Sequence, residues 1–224
     1  RLPRPRAATI VLFSAGVMML RTLLILFLFI SPAKAVATGN ILLVGDSLSA
    51  AYGIPADAGW VALLQQRLNS EQYPYQLVNA SISGDTTSNA RSRLPDALDK
   101  YRPVIVILQL GGNDGLRGLS LGEMKQNLAA MIELVASHKG SSLLLGVHLP
   151  PNYGRRYTER FHGIYHELAE ETGAALVPSL VDGIGTRSEL MQADGIHPNQ
   201  QAQPVIAERV WSGLRPLLSR GPES

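Results

Sequence analysis

Past residue 38 the chain alternates short apolar runs with longer stretches in which apolar side chains recur every three or four positions. The short runs are residues 41–44, 76–79, 104–110, 143–147 and 175–177, rich in Val, Ile and Leu and apolar on both faces. Such runs predict strands of a parallel sheet covered on both sides. Between them, Trp60, Leu63, Leu64 and Leu68 share one helical face. Leu121, Met124, Leu128, Met131 and Val135 share another, Phe161, Ile164, Tyr165 and Leu168 a third, and Ile206, Val210, Leu214 and Leu217 a fourth. Pro204 fits the first turn of this last helix. The stretch 86–101 carries Pro95 in its interior, which predicts a kinked or divided helix. Strands alternating with helices predict one α/β domain, with right-handed crossovers and a site beyond the carboxyl ends of the strands.

The length of 224 residues allows a full core for one domain. The domain is expected to span residues 38–220, and residues 1–37 have a different character. Residues 7–20 are mostly apolar, Arg21 interrupts, and residues 23–30 are apolar throughout. Ser31-Pro32 then breaks the run, and Ala33-Lys34-Ala35 or Ala35-Val36-Ala37 supplies small residues at cleavage spacing. Residues 1–37 are therefore expected to be an N-terminal extension plus a cleaved signal peptide, with 1–17 upstream of a start at Met18 or Met19. The mature chain is expected in the periplasm or medium. An uncleaved anchor is disfavoured because Arg21 leaves no uninterrupted span.

Charge points the same way. Five cations and no acid lie before residue 36; without them 15 basic and 18 acidic side chains remain, a net of −3. Nothing in that remainder predicts a nucleic-acid surface. The chain has no cysteine, which excludes a Cys nucleophile, a disulfide framework, a thiolate metal site and a lipid-anchored signal.

Four blocks carry candidate chemistry. Gly45-Asp46-Ser47-Leu48-Ser49 directly follows the first run, where a glycine turn would lift Ser47 into a cleft. Asp194-Gly195-Ile196-His197-Pro198-Asn199 puts an acid and an imidazole three apart in one loop, so that the carboxylate can fix the ring's tautomer while the other nitrogen faces the cleft. Ser83-Gly84-Asp85-Thr86-Thr87 and Gly111-Gly112-Asn113-Asp114-Gly115 offer backbone N–H groups and a side-chain amide of the kind an oxyanion hole uses. Taken singly, each block also reads as a turn or a helix cap. His162 and His166 stand four apart, but with no Glu between them and no third ligand they read as a solvated helix face.

In this order the four blocks resemble the SGNH (GDSL) hydrolases. Ser47, Gly84, Asn113 and His197 match that family's four named positions, and Asp194 its triad acid. The likeness runs from about residue 40 to 215. Leu110 to Gly118, Asn152 to Tyr157 and Asp194 to Asn199 resemble its bacterial thioesterase/lysophospholipase/arylesterase branch. The resemblance implies a three-layer, flavodoxin-like sandwich around a parallel sheet of about five strands, with a shallow, open site. It implies a catalytic Ser47–Asp194–His197 triad and an oxyanion hole of Ser47, Gly84 and Asn113. Asp46, Leu48, Asp85, Thr86 and Tyr153 are expected to contact substrate. The substrates implied are acyl thioesters, lysophospholipids and aryl or alkyl esters, handled by a monomer that needs no metal or organic cofactor. A carbohydrate acetyl-esterase of the same fold is the alternative within catalysis, and a non-catalytic binding module the alternative outside it. A nucleotide- or phosphate-binding module would need a loop cradle, and neither G-x-x-x-x-G-K nor G-x-G-x-x-G occurs.

Overall fold

Each apolar run pairs as a strand. The computed structural model describes residues 39–218, and the expected leader and its cleavage sites lie outside the described residues. The strands β1 (Gly39–Gly45), β2 (Tyr75–Asn79), β3 (Ile105–Gln109), β4 (Ser141–Leu145) and β5 (Ala175–Val177) form one five-stranded sheet. Its order is β2-β1-β3-β4-β5, with every pair parallel. The interior of β1 and all of β3 are buried, because helices cover both faces and no edge of these strands meets water.

The helices are α1 (Trp60–Ser70), α2 (Thr87–Tyr101), α3 (Gly112–Leu116), α4 (Leu121–Ser137), α5 (Arg155–Thr172) and α6 (Gln203–Leu214). The expected apolar stripes are their buried faces. Trp60, Leu64 and Leu68 bury on α1, where it packs against α6 through Ile206, Val210 and Leu214. The stripes of α4 and α5 bury in full, with α4 packed against both α2 and α5. Leu217 lies past α6, in a 3-10 turn. Among the described residues no helix is long and apolar enough to cross a membrane.

Two expectations need correction. Pro95 neither ends nor divides its helix, since α2 runs unbroken from Thr87 to Tyr101 with Pro95 inside. Pro95 and Arg91 lie on its exposed side, so the carbonyl left without an N–H partner can bond to water. The fourth strand also starts and stops earlier than its apolar run. It opens on Ser141 and Ser142, and at Gly146 the chain turns to bond across to β5, with Gly146 N–H donating to Val177 O at 2.9 Å and Leu180 N–H to Gly146 O at 2.7 Å.

That crossing predicts a contrast between two glycines. A Cβ on Gly146 would press into the backbone carbonyl of Pro178, which cannot swing away as a side chain could. Gly146→Ala should destabilise by about 3 kcal/mol, a fall of roughly 6–12 °C in Tm. Gly163, inside α5, has nothing within 4 Å of the same position, so Gly163→Ala should stabilise by about 0.5–1 kcal/mol. Thermal denaturation of the two variants checks the opposite signs.

Candidate active site

The first wall of the site is the turn that leaves β1. Ser49 and Ala50 N–H groups donate to Asp46 O at 3.2 and 3.0 Å, and Leu48 N–H donates to Asp46 Oδ1 at 3.0 Å. The turn is fixed from below, where Ser49 Oγ donates to Gln109 Oε1 at 2.6 Å, and from the side, where Trp60 Nε1 donates to Leu48 O at 2.9 Å. Ser47 is thus held at the tip of a short turn whose neighbours are all bonded to the core.

The second wall is a loop without helix or strand, closed on itself. Met191 and Pro198 form an isolated antiparallel bridge, Gln192 N–H donates to His197 O at 2.8 Å, and Asn199 N–H donates to Leu190 O at 2.8 Å. Within it, Asp194 Oδ1 accepts from the N–H groups of Ile196 and His197 at 2.9 and 3.0 Å, and Asp194 Oδ2 stands 2.6 Å from His197 Nδ1. His197 Nε2 lies 2.9 Å from Ser47 Oγ. A carboxylate only accepts, so this pairing assigns the proton to Nδ1 and leaves the Nε2 lone pair for the Ser47 hydroxyl. Burial pushes the Asp194 carboxyl up, but the amides and imidazole of His197 and the Ile196 amide outweigh it and hold the group at about 2. Asp194 is therefore ionised at neutral pH and well into the acid range.

The third wall comes from the connections after β2 and β3. Gly111 opens α3 at φ +108°, and a Cβ there would run into the Tyr165 hydroxyl, which donates to Leu110 O at 2.7 Å. Asn113 Nδ2 donates to Asp85 O at 3.0 Å, which orients the amide and leaves its second N–H for the groove that Asn113 lines. Among the described residues, neither Ser47 N–H nor Gly84 N–H has a protein acceptor. Asp114 ties the two connections together, accepting from Thr87 N–H at 2.9 Å and Thr87 Oγ1 at 2.6 Å.

These walls enclose one end of a groove of about 620 Å³. Ser47, Asn113 and His197 line it together with Asp46, His148, Asp182 and Thr186; Leu48, Leu116, Val147, Leu149, Met191 and Ile196 supply much of its apolar surface. A mainly apolar groove with a few polar groups suits a chain-bearing ligand with one reactive polar centre.

The residues singled out in sequence divide. Ser47, Asn113, His197, Leu48 and, largely buried, Asp46 line the groove, with Asp194 bonded behind His197. Gly84 stands beside it at φ +85°, its carbonyl accepting from Arg117 Nη2 at 2.9 Å. Tyr153 sits at the rim, its hydroxyl donating to Leu116 O at 3.0 Å. Asp85 turns inward instead, pairing with Arg93 at 2.7 Å, and Thr86 is buried as the cap of α2. His162 is not on a solvated face: its ring stacks on His148 with centroids 3.8 Å apart, and burial and then the nearby His148 lower its pKa. Tyr52 and Gln192 carried no signal in sequence. The Tyr52 ring lies 4.5 Å from the His197 imidazole, centroid to centroid, and Gln192 Nε2 donates to Tyr52 O at 2.8 Å and Pro198 O at 3.1 Å.

Comparison with known proteins agrees with this geometry. The GDSL-like lipase/acylhydrolase family matches residues 43–203. Esterase TesA of Pseudomonas aeruginosa is 50% identical over 182 residues, 81% of this chain and 90% of that protein. The Escherichia coli (strain K12) protein named thioesterase 1/protease 1/lysophospholipase L1 is 42% identical over 194 residues, covering 87% of this chain and 92% of its own. Among solved structures, the psychrotrophic esterase EstA from Pseudoalteromonas sp., inhibited by monoethylphosphonate, is 40% identical with a TM-score of 0.76, over 80% of this chain and 98% of its own.

Beneath the nucleophile turn, Asp46 is 2% exposed. Burial raises its carboxyl to about 6, against the pull of the Leu48 amide, Gln109 and His197. A carboxyl raised in this way stabilises the fold while protonated. The contribution is complete below about pH 4 and is lost as pH rises through about 6. The shift from 3.8 to about 6 corresponds to roughly 3 kcal/mol. Asp46→Asn cannot ionise, so its stability relative to the parent should be up to about 3 kcal/mol more favourable at pH 8 than at pH 4. Chemical denaturation of both proteins at the two pH values measures this; a difference that does not change with pH would mean that Asp46 ionises freely in the fold.

Proposed function

The chain belongs to the GDSL-like lipase/acylhydrolase family and is a carboxylic ester hydrolase, and from that premise we propose that it works through an acyl-enzyme on Ser47. The observation that carries the reading is the line Asp194 Oδ2, His197 Nδ1, His197 Nε2, Ser47 Oγ, with contacts of 2.6 and 2.9 Å. Ser47 Oγ attacks the carbonyl carbon of the ester as its proton passes to His197 Nε2. The carbonyl electron pair moves onto oxygen, which accepts from Ser47 N–H, Gly84 N–H and the Asn113 amide. Collapse expels the alcohol or thiol, which takes the proton back from His197. Water then repeats the sequence on the acyl-enzyme and releases a carboxylic acid. Asp194, already ionised, stabilises the imidazolium in both halves without taking the proton.

The substrates are acyl thioesters, lysophospholipids and aryl or alkyl esters. Two features support this range: the apolar groove beyond Ser47, and the esterase, thioesterase and lysophospholipase names of relatives at 42–50% identity. The chain acts after export, a reading supported by the apolar run after Arg21 and the Ala33-Lys34-Ala35 site.

Purified protein should hydrolyse a chromogenic acyl ester and an acyl thioester, and an organophosphonate should stop both while adding mass at Ser47. Labelling at Ser49, Ser81 or Ser83 instead would place the nucleophile elsewhere. Asn113→Ala should lower kcat by roughly 10²–10³ with KM nearly unchanged, because an oxyanion donor acts mainly in the transition state. A variant that melts early yet keeps its kcat would make Asn113 a structural residue only. N-terminal sequencing of protein from periplasm or medium should read from near Val36, Thr38 or Gly39; residues 20–35 retained in a membrane fraction would refute cleavage.

A further inference from the structure

In a parallel sheet every connection that leaves a strand's carboxyl end emerges on the same side of the molecule. Five of the seven large hydrophobic side chains exposed among the described residues lie between a strand's carboxyl end and the next long helix, one after each strand. Tyr52 follows β1, Ile82 follows β2, Leu119 follows β3, Tyr153 follows β4 and Ile196 follows β5. All five therefore emerge at the end of the sheet where the groove opens. Tyr52 packs beside the His197 ring, Ile82 stands two residues before Gly84, Ile196 lines the groove wall, and the Tyr153 hydroxyl bonds to Leu116 in that wall. Single exposed hydrophobics are ordinary, but one after each strand at one opening forms an apolar rim.

The exposed charge in the segments around Leu119 and Tyr153 is net cationic, with Glu123 and Glu159 the acids among the cations. Arg117, Arg155 and Arg156 are exposed there. Of the three, only Arg155 meets a carboxylate among the described residues, Glu159 at 3.6 Å. Around Ile196, Glu189 is paired with Arg187 and Asp194 with His197; Asp182, which lines the groove with Pro150 and Pro151, is exposed.

We infer that this rim is a docking surface for an anionic lipid interface, with the five apolar tips entering the acyl boundary and Arg155 and Arg156 meeting the headgroups. Apolar tips next to cations are the combination that holds a protein on such a surface. The inference rests on the acyl-hydrolase reading, which gives a lipid surface reason to meet the groove. Substrate then reaches Ser47 from the interface, its chain entering the channel between Leu116, Leu149 and Ile196.

The chain has no cysteine, so a single introduced thiol can report locally. The full chain with Ser47→Ala is labelled with an environment-sensitive fluorophore at Leu119→Cys, or at Val104→Cys, exposed just before β3 at the other end of the sheet, as a remote control. Both are titrated with vesicles of phosphatidylglycerol and of phosphatidylcholine. The expected result is a blue shift at position 119 with phosphatidylglycerol, none at 104, and a weaker response to phosphatidylcholine. Arg155→Gln with Arg156→Gln should raise the phosphatidylglycerol concentration needed by about 30-fold at low salt, and Ile82→Ser should raise it on both lipids. No shift at 119, equal shifts at 119 and 104, or indifference to the two arginines would overturn the proposal. A shift with an acidic protein but not with vesicles would do so too, marking a protein-docking face. Hydrolysis of a short soluble ester by the Ser47-bearing parent and rim variants is the separate readout. Its absence in the parent would refute the hydrolase reading while leaving the vesicle result to stand or fall alone.

Discussion

The site depends on one ladder, the parallel pairing of β1 with β3. Its register sets Leu43 against Ile107 and Gly45 against Gln109, so the two strands end level and side by side. Each has a partner on its far side, and here the strand order reverses, with β1→β2 running one way and β3→β4 the other. Connections leaving such a point diverge and leave a crevice between them. Ser47 stands on one lip and Asn113 on the other. The hydrolytic geometry is thus set first by backbone pairing among residues that never touch substrate.

Below the crevice the polar groups serve one another. Gln109 accepts from Ser49 and the Asp46 amide, and Asp114 accepts twice from Thr87. Both Gln109 and Asp114 are at most 3% exposed, where an unmet hydrogen bond is costly. The buried network therefore couples the turn carrying Ser47 to the connections carrying Gly84 and Asn113. The Asp194–His197 loop is joined differently, at the surface, by Gln192 reaching across to Tyr52 and Pro198.

What could be read in the sequence divides along the same boundary between local and distant contacts. The strands were legible because a doubly covered parallel strand must be apolar on both faces, and the helices because their stripes recur with the period of the helix. Ser47, Asp194 and His197 could be singled out only because four blocks in that order resemble a known family, since each block taken alone also reads as a turn or a cap. That Pro95 does not divide its helix could not be read, because tolerance of proline depends on which face meets water, which the residues nearby do not reveal. Tyr52, Gln192 and the Thr87–Asp114 pair were illegible for another reason. The Gln192–Tyr52 bond joins residues 140 apart and the Asp114–Thr87 bond residues 27 apart, and only the fold brings them together. His162 belongs here too, since its stacking partner His148 lies in the preceding connection.

The distance along the chain from Ser47 to His197 is 150 residues, and it has a meaning for biosynthesis. A chain emerging from the ribosome presents its nucleophile and both candidate oxyanion connections long before its base. Until residue 197 is made and its loop has closed against Tyr52, the serine is an ordinary alcohol with no acceptor for its proton. Long-range contacts of this kind also form late in folding, because a long stretch of chain must be ordered to make them. Reactivity toward esters is therefore withheld from nascent and partly folded forms, and a truncated product would accumulate as an inert polypeptide. The order of the blocks along the chain thus acts as a form of latency.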